Sequence, residues 1–378
     1  LIKEDQNEEL VVMSNAEKQV ESRALDIVGE RFIKSRILER IQSFPTVTKE
    51  LIGGLGHDAG ILNNPLGSDD KLLINTDKSG VSKAYKLGLA GGECIGDFAV
   101  SHAVSDILAS GGEPFAVSVA LMLPGDTTVG LVDEILDGIL QACADFNVTL
   151  TGGDTKKADT LSVVVTALGR APSINLLYRN TPQPGDQLVV SGVLGSMLLG
   201  SAVFKRGHAI SDAVRDVLVH AQICQRPPFR LALEMSRARV ANACTDISDG
   251  LQAACRNMIP GSSLGVELEE IQVPVHPALK GLANTLALSP LQLSMAGGDW
   301  QFLYCVPKDN IATLGSISDR SDTSLTVIGE VIETGGVWAK TREGHRKKLR
   351  QIEHDSFLNR INGVSYFDFL SDPQEMFE

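Results

Sequence analysis

The sequence predicts a two-domain α/β protein. Three observations carry that expectation. Strand-like and helix-like stretches alternate in both halves of the chain, and Pro182 and Pro184 punctuate a boundary between them. The 378 residues, 43% hydrophobic and 21% charged, have the composition of a globular chain and exceed one ordinary domain. Aromatic residues make up only 5%, so the cores must rely on Ala, Val, Leu and Ile.

The elements follow in order. Residues 1–28 are polar and acidic at first and read as an N-terminal extension; 29–178 form the first expected domain, 179–340 the second, and 341–378 a C-terminal tail. Apolar residues from Ala24 to Ile41 recur at three- and four-residue steps, an amphipathic helix stopped near Pro45. Lys71–Thr76 reads as a strand ending at Asp77, and Gly91–Ala109 as a helix after a glycine-rich turn. Ala116–Leu123 is a strand closed by Pro124. Val129–Phe146 is a helix with Leu131, Ile135, Leu136, Ile139 and Leu140 on one side. Asn147–Leu150 is a short strand running into Gly152-Gly153-Asp154-Thr155, and Ser162–Leu168 is another strand. In the second half, the strand Gln187–Ser191 leads through Gly192 and Gly195 into a helix reaching Phe204. Ser211–Gln222 and Ser248–Met258 are helical, with a break at Arg226-Pro227-Pro228; Phe302–Val306 and Ser324–Val331 are strands.

Charge and cysteine usage limit the function classes. The balance of 34 basic against 47 acidic residues, net −13, is the wrong sign for a nucleic-acid footprint. Phosphate binding would need local cations, and bound metal ions would also use some of the carboxylates. No apolar run reaches a membrane span, and the first twenty residues are too charged for a secretory signal. The six cysteines are scattered without a C-x-x-C, so neither a zinc site nor a disulfide framework is expected, and the setting is cytoplasmic. Each cysteine reads as a small buried apolar residue. No Gly-Lys pair occurs, which removes the commonest phosphate loop.

The chemistry-bearing pattern is a set of aspartates beside glycines or at strand ends: Asp58, Asp77, Asp154, Asp246 and Asp249. Taken singly, such residues are ordinary turn or cap chemistry, and Ser248 and Asp249 suit a helix start. Asp106 is different, because it sits inside the apolar helix Ala103-Val104-Ser105-Asp106-Ile107-Leu108. A carboxylate there is costly unless paired or bound to a cation, and hard divalent cations take oxygen ligands. His102, one turn earlier, is the ordinary candidate partner.

Taken together, Gly56-His57-Asp58-Ala59, Asn75-Thr76-Asp77, the run His102–Pro114, Gly152–Thr155, Pro184–Gly195, Asp246–Leu251 and Ala296–Phe302 resemble, in order, the motifs of the thiamine-monophosphate kinases. That wider group includes aminoimidazole ribonucleotide synthetase. The resemblance covers about residues 50–310. It implies an N-terminal α/β domain whose strands form a barrel across a homodimer, and a C-terminal α/β domain, with ATP and Mg²⁺ in the cleft between them. It implies metal ligation by Asp58, Thr76, Asp77, Asp106, Asp154 and Asp246, with Asp249 near another ion. Gly153, Asp154, Arg179 and Ser248 would contact the nucleotide, and Asp106, Asp154 and Asp249 would stand nearest the chemistry, an in-line transfer to a small-molecule acceptor.

The sequence departs from the pattern at substrate-side positions. The family's substrate histidine falls near Ala84, beside Tyr85; its substrate glutamate falls on Gly298, next to Asp299 and Trp300; its stacking tryptophan falls on Gly363. These losses lead to the expectation of an ATP-dependent phosphotransferase whose acceptor is not thiamine monophosphate, with Tyr85, Asp299 and Trp300 as candidate acceptor contacts. The alternatives are an authentic thiamine-monophosphate kinase and a non-catalytic nucleotide-binding scaffold, the latter suggested by His57 and Asn75.

Overall fold

The computed structural model describes residue 32 and residues 36–48, 70–259, 263–350 and 376–378. Two sheets organise the described chain. The first contains β1 (Asp70–Ser79), β2 (Glu113–Leu123), β3 (Thr149–Lys157) and β4 (Ser162–Pro172) in the order β1-β4-β2-β3. Its pairs are antiparallel except β2 with β3. The second is built from β5 (Gln187–Ser191), β6 (Ala243–Asp246), β7 (Gly265–Glu269), β8 (Phe302–Val306), β9 (Leu325–Ile332), β10 (Gly336–Lys340) and β11 (Arg346–Lys348), ordered β11-β10-β7-β9-β5-β8-β6. β11 lies past residue 340, in the stretch expected as a tail.

Three strands differ from the sequence reading in ways that bear on the site. β1 continues to Ser79, so Asp77 lies within it, opposite Val165 of β4. β3 runs on through Gly152-Gly153-Asp154-Thr155, because β2 supplies a parallel partner as far as Lys157. β6 has only four residues and is buried throughout, too short to announce itself by alternation.

The helix α1 (Glu93–Ala109) is the centre of the molecule. Twelve of its seventeen residues are buried, all round the helix, because it lies between the first sheet and the C-terminal half. It crosses α2 (Val129–Asp145) at glycines: a Cβ added at Gly96 would lie 2.0 Å from the Ile135 carbonyl oxygen, and one at Gly138 1.9 Å from that of Glu93. One core joins α1, α2 and the first sheet to Val189, Leu231, Phe302 and Tyr304 of the C-terminal half. A second core fills that half around Leu188, Leu199, Leu251, Leu303 and Ile328. That half also carries α3 (Ser196–Arg206), α4 (Asp212–Ile223), α5 (Phe229–Ala238), whose Leu231 and Met235 join the first core, and α6 (Leu251–Met258).

Arg226 ties the halves together. Its guanidinium bonds both Asp97 oxygens, at 2.9 Å from Nε, and reaches Asp145 of α2. Among the described residues no helix is long and apolar enough to cross a membrane. The cysteines are unpaired, and five are buried as expected; Cys224 is exposed, because α4 ends there before the Arg226-Pro227-Pro228 break.

Candidate functional site

β1 alternates, so Asn75 and Asp77 face α1 while Leu72, Ile74 and Thr76 face away. Asn75 fixes Asp77: its Nδ2 donates to the Asp77 carboxylate and, at 3.3 Å, to the Ala103 carbonyl of α1. On α1, Asp106 points out of the buried surround toward Asp77 and toward Asp246, the last residue of β6. The connector between the halves completes the group. Tyr178 pairs with Ala243 of β6, and its carbonyl accepts from Cys244 N at 3.3 Å. That pairing holds the next residue, Arg179, with Nη2 3.9 Å from Asp106 Oδ1.

Asp77, Asp106 and Asp246, from three separate parts of the sequence, therefore meet where the halves touch. Their electrostatics are those of carboxylates held together. Burial first, then the Asp246 and Asp77 charges, push the Asp106 carboxyl up to about 7, with Arg179 opposing. Asp246 is also raised by burial, against the pull of Arg179, His102 and the Ser248 hydroxyl. Ser105 Oγ donates to Asp246 at 3.4 Å. His102 stands beside Asp77 rather than pairing with Asp106: its Nε2 is 4.0 Å from Asp77 Oδ1 and its Nδ1 3.3 Å from Ser79 Oγ.

The other expected site residues are placed as follows. Asp58 lies outside the described residues, as do His57 and Gly363. Thr76 turns its hydroxyl to Thr166 Oγ1, 3.0 Å away, on the sheet face opposite Asp77. Gly153 and Asp154 lie on β3, with β4 and β2 between them and β1, and the exposed Asp154 carboxylate accepts from Thr155 N at 2.8 Å. They are not brought to the three carboxylates within this chain. Ser248 and Asp249 do not cap a helix: α6 starts at Leu251 with Gly250 as its N-cap, at φ 93°. The Ser248–Asp249 turn instead lies against Gly297, where a Cβ would sit 1.9 Å from the Ser248 carbonyl oxygen. Asp249 is exposed, and its charge helps raise Asp246.

The three acceptor-side candidates have packing roles. Tyr85 is half-buried against the core in the short helix Lys83–Lys86. Asp299 caps α3, accepting from Gly195 N at 2.6 Å and Met197 N at 3.0 Å, and burial raises its carboxyl to about 6. Trp300 is 5% exposed, with its ring edge-on to Phe98 and His102. Phe98 is a site-lining residue the motifs do not mark; its only signal is the four-residue spacing Phe98, His102, Asp106.

A cavity of about 680 Å³, lined by Asn75, Asp106, Tyr178, Arg179 and Cys244, opens directly beside the carboxylates. This is the size range of small-molecule sites. A larger cavity of about 1400 Å³ lies elsewhere in the C-terminal half, around Trp338, Arg346 and Phe377, and contains none of these carboxylates.

Does the group suit a divalent cation? The donors are all oxygen, burial and then their mutual repulsion raise the Asp106 carboxyl to about 7, and among the described residues Arg179 and His102 stand nearest to balance them. That chemistry fits a hard cation shared with phosphate oxygens. Among the described residues no three His, Cys, Asp or Glu side chains already form a ligand cluster, so the carboxylates are neighbours and not a closed cage.

Residues 56–171 match the family model "AIR synthase related protein, N-terminal domain", and residues 183–340 match its C-terminal counterpart. The chain belongs to the AIR synthase related family. Its relatives in this family include the thiamine-monophosphate kinase of Methanopyrus kandleri, 32% identical over 63% of this chain and 72% of the relative. The enzyme of the same name from Pyrococcus abyssi is 27% identical over 82% of this chain and 92% of its own. Among solved structures, thiamine-monophosphate kinase from Stenotrophomonas maltophilia superposes with a TM-score of 0.71 at 24% identity, covering 80% of this chain and 95% of that one. E. coli HypE superposes at 0.70 and 21%, covering 87% and 98%. These likenesses establish the AIR synthase related fold; one further neighbour was crystallised as a complex with AMPPCP and TMP.

Proposed function

We propose that this chain is an ATP-dependent kinase that transfers the γ-phosphoryl group of ATP in line to thiamine monophosphate. The observation that carries the kinase reading is the meeting of Asp77, Asp106 and Asp246 beside the Arg179-lined cavity. Asp77, Asp106 and Asp246 would hold Mg²⁺, with Asp249 at the rim. When bound, the ion supplies charge neutralisation for the transferring phosphoryl group. The protein's own part is placement: Asn75 orients Asp77, Ser105 and Ser248 orient Asp246, and Arg179 meets nucleotide phosphate from the connector.

The names of the relatives support thiamine monophosphate as the acceptor. The expectation of a different acceptor rested on three positions, of which the structure describes two. Ala84 is fully buried. Gly298 is a packing position at φ 105°, over Met197 and Gln225. Gly363 lies outside the described residues. Nor does Asn75 favour a non-catalytic scaffold, since it orients Asp77. The purified chain with ATP, Mg²⁺ and thiamine monophosphate is expected to form thiamine diphosphate, measured by chromatography of the thiochrome derivatives. No product above a control lacking protein would defeat the acceptor assignment.

The open face of the first sheet supports a homodimer. Leu72 and Ile74 are 43% and 63% exposed there, a pair of large apolar side chains on one edge strand. Both side chains also line the cavity beside Asp106, so a second copy laid on this face would bury them, close one wall of that cavity and extend the sheet toward a barrel. Ile74→Glu is expected to convert a dimer to a monomer in sedimentation velocity at micromolar concentration; an unchanged sedimentation coefficient would count against this face.

A further inference from the structure

The five residues of α1 that are not buried are Glu93, Asp97, Phe98, His102 and Asp106. The last four form one stripe along the seam between the first sheet and the C-terminal half, and each has a definite partner. Asp97 is held by Arg226, and Asp106 meets Arg179. Between them, the Phe98 and His102 rings lie at 27° to one another, with centroids 5.7 Å apart. Trp300 of the other half backs both rings edge-on, at 5.0 and 4.9 Å. Trp300 does so from a left-handed backbone, φ 48°, costly for a bulky residue and retained only where its surroundings fix it. The ring pair is thus rigidly supported from behind, while both rings keep solvent-facing surface; the His102 side chain is 25% exposed.

Its position along the helix gives it a use. The Tyr178–Arg179 cavity opens at the Asp106 end of the stripe. At 1.5 Å per residue, His102 lies ~6 Å and Phe98 ~12 Å further along the helix. In-line phosphoryl transfer requires donor and acceptor on opposite sides of the moving group. With the nucleotide in the cavity and the phosphoryl group at the carboxylates, the acceptor approaches from the His102 side, where Asp77 and His102 adjoin.

We propose that the Phe98–His102 ring pair, backed by Trp300, is the platform on which the planar heteroaromatic ring of the phosphoryl acceptor lies. The proposal rests on the kinase reading above and names the acceptor subsite within it. Stacking on such rings tolerates variation in ring chemistry, so the platform selects for a flat unsaturated acceptor, and the adjoining carboxylates set where its reacting oxygen lies.

Two measurements on the full-length protein test it separately from the acceptor assignment. In steady-state kinetics with thiamine monophosphate, Phe98→Leu is expected to raise the acceptor KM about tenfold or more, with AMPPCP affinity changed less than twofold. Phe98→Tyr, which restores the ring, is expected to stay within about threefold of wild type. An equal loss in both variants, no loss in either, or a parallel fall in AMPPCP affinity overturns the platform. Saturation-transfer NMR on the ring protons of thiamine monophosphate, with AMPPCP and Mg²⁺ present, gives the second readout. Ring saturation present in wild type, lost in Phe98→Leu and kept in Phe98→Tyr supports the platform even if no thiamine diphosphate is made, in which case only the acceptor assignment fails. Absence of ring saturation in wild type, or its persistence in Phe98→Leu, overturns the platform.

Discussion

Asp106→Asn is expected to lower phosphoryl transfer by about 1000-fold while making the metal-free protein more stable above pH 7. The two effects have one cause. Asp106 is largely withdrawn from solvent among Asp77 and Asp246, and its carboxyl stands at about 7 against an ordinary 3.8. A folded-state value above the unfolded one means that the native protein holds this proton more tightly. The stability it contributes is fully present below about pH 4 and is lost as the pH rises through 7. Asparagine cannot ionise, so it escapes that loss, and the variant should melt higher than wild type at pH 8 and alike near pH 4. The same change removes a negative oxygen from where charge must be neutralised in the transition state. A loss of about 4 kcal/mol there corresponds to the 1000-fold figure. Calorimetric melting across pH and single-turnover kinetics measure both. A variant that is less stable at pH 8, or that keeps a tenth of wild-type activity, would show that Asp106 serves packing instead.

Divalent cation binding should release protons, and should weaken as the solution is acidified. At pH 6 Asp106 is mostly protonated in the metal-free protein, because burial and the neighbouring carboxylates favour the neutral form. A cation binding these oxygens must displace that proton. Affinity for Mg²⁺ is therefore expected to fall about tenfold per pH unit below 7 and to level off above 8. Titration calorimetry in two buffers of different ionisation enthalpy should count about one proton released at pH 6 and almost none at pH 8.5. Release that does not change with pH would mean that the cation, if bound, avoids Asp106. In Asp106→Asn the pH dependence should shrink to what Asp246 contributes, together with loss of most of the affinity.

Much of the site could be read from residue type and order. Asp106 stood out because a carboxylate inside an apolar helix has no ordinary explanation, and the structure gives the reason: α1 is covered on both sides, and Asp106 belongs to the one stripe, with Asp97, Phe98 and His102, that is not fully buried. Asp77 and Asp246 could be named, but their roles could not be separated from turn chemistry. What distinguishes them is that β1 runs on past Asp77 and that β6 stops at Asp246 on the edge of the other sheet. Asp299, named from its place in the matched motif, also caps α3, more than a hundred residues earlier. Local pattern misled in one place. The Ser248-Asp249-Gly250 turn looked like a helix cap, yet no side chain caps α6.

The amino-acid order alone determined the alternation of strands and helices and singled out Asp106 as a carboxylate carried into apolar surroundings. Those follow from periodicity and from the cost of burying an ion, which are local properties. Only the tertiary structure decided which carboxylates meet, that Arg179 reaches them because Tyr178 pairs with β6, and that Phe98 and His102 stand on a tryptophan from the other half. Electrostatic repulsion and ring contact depend on separation in space, and residues 77, 106 and 246 come within reach of one another only once both sheets have closed on α1.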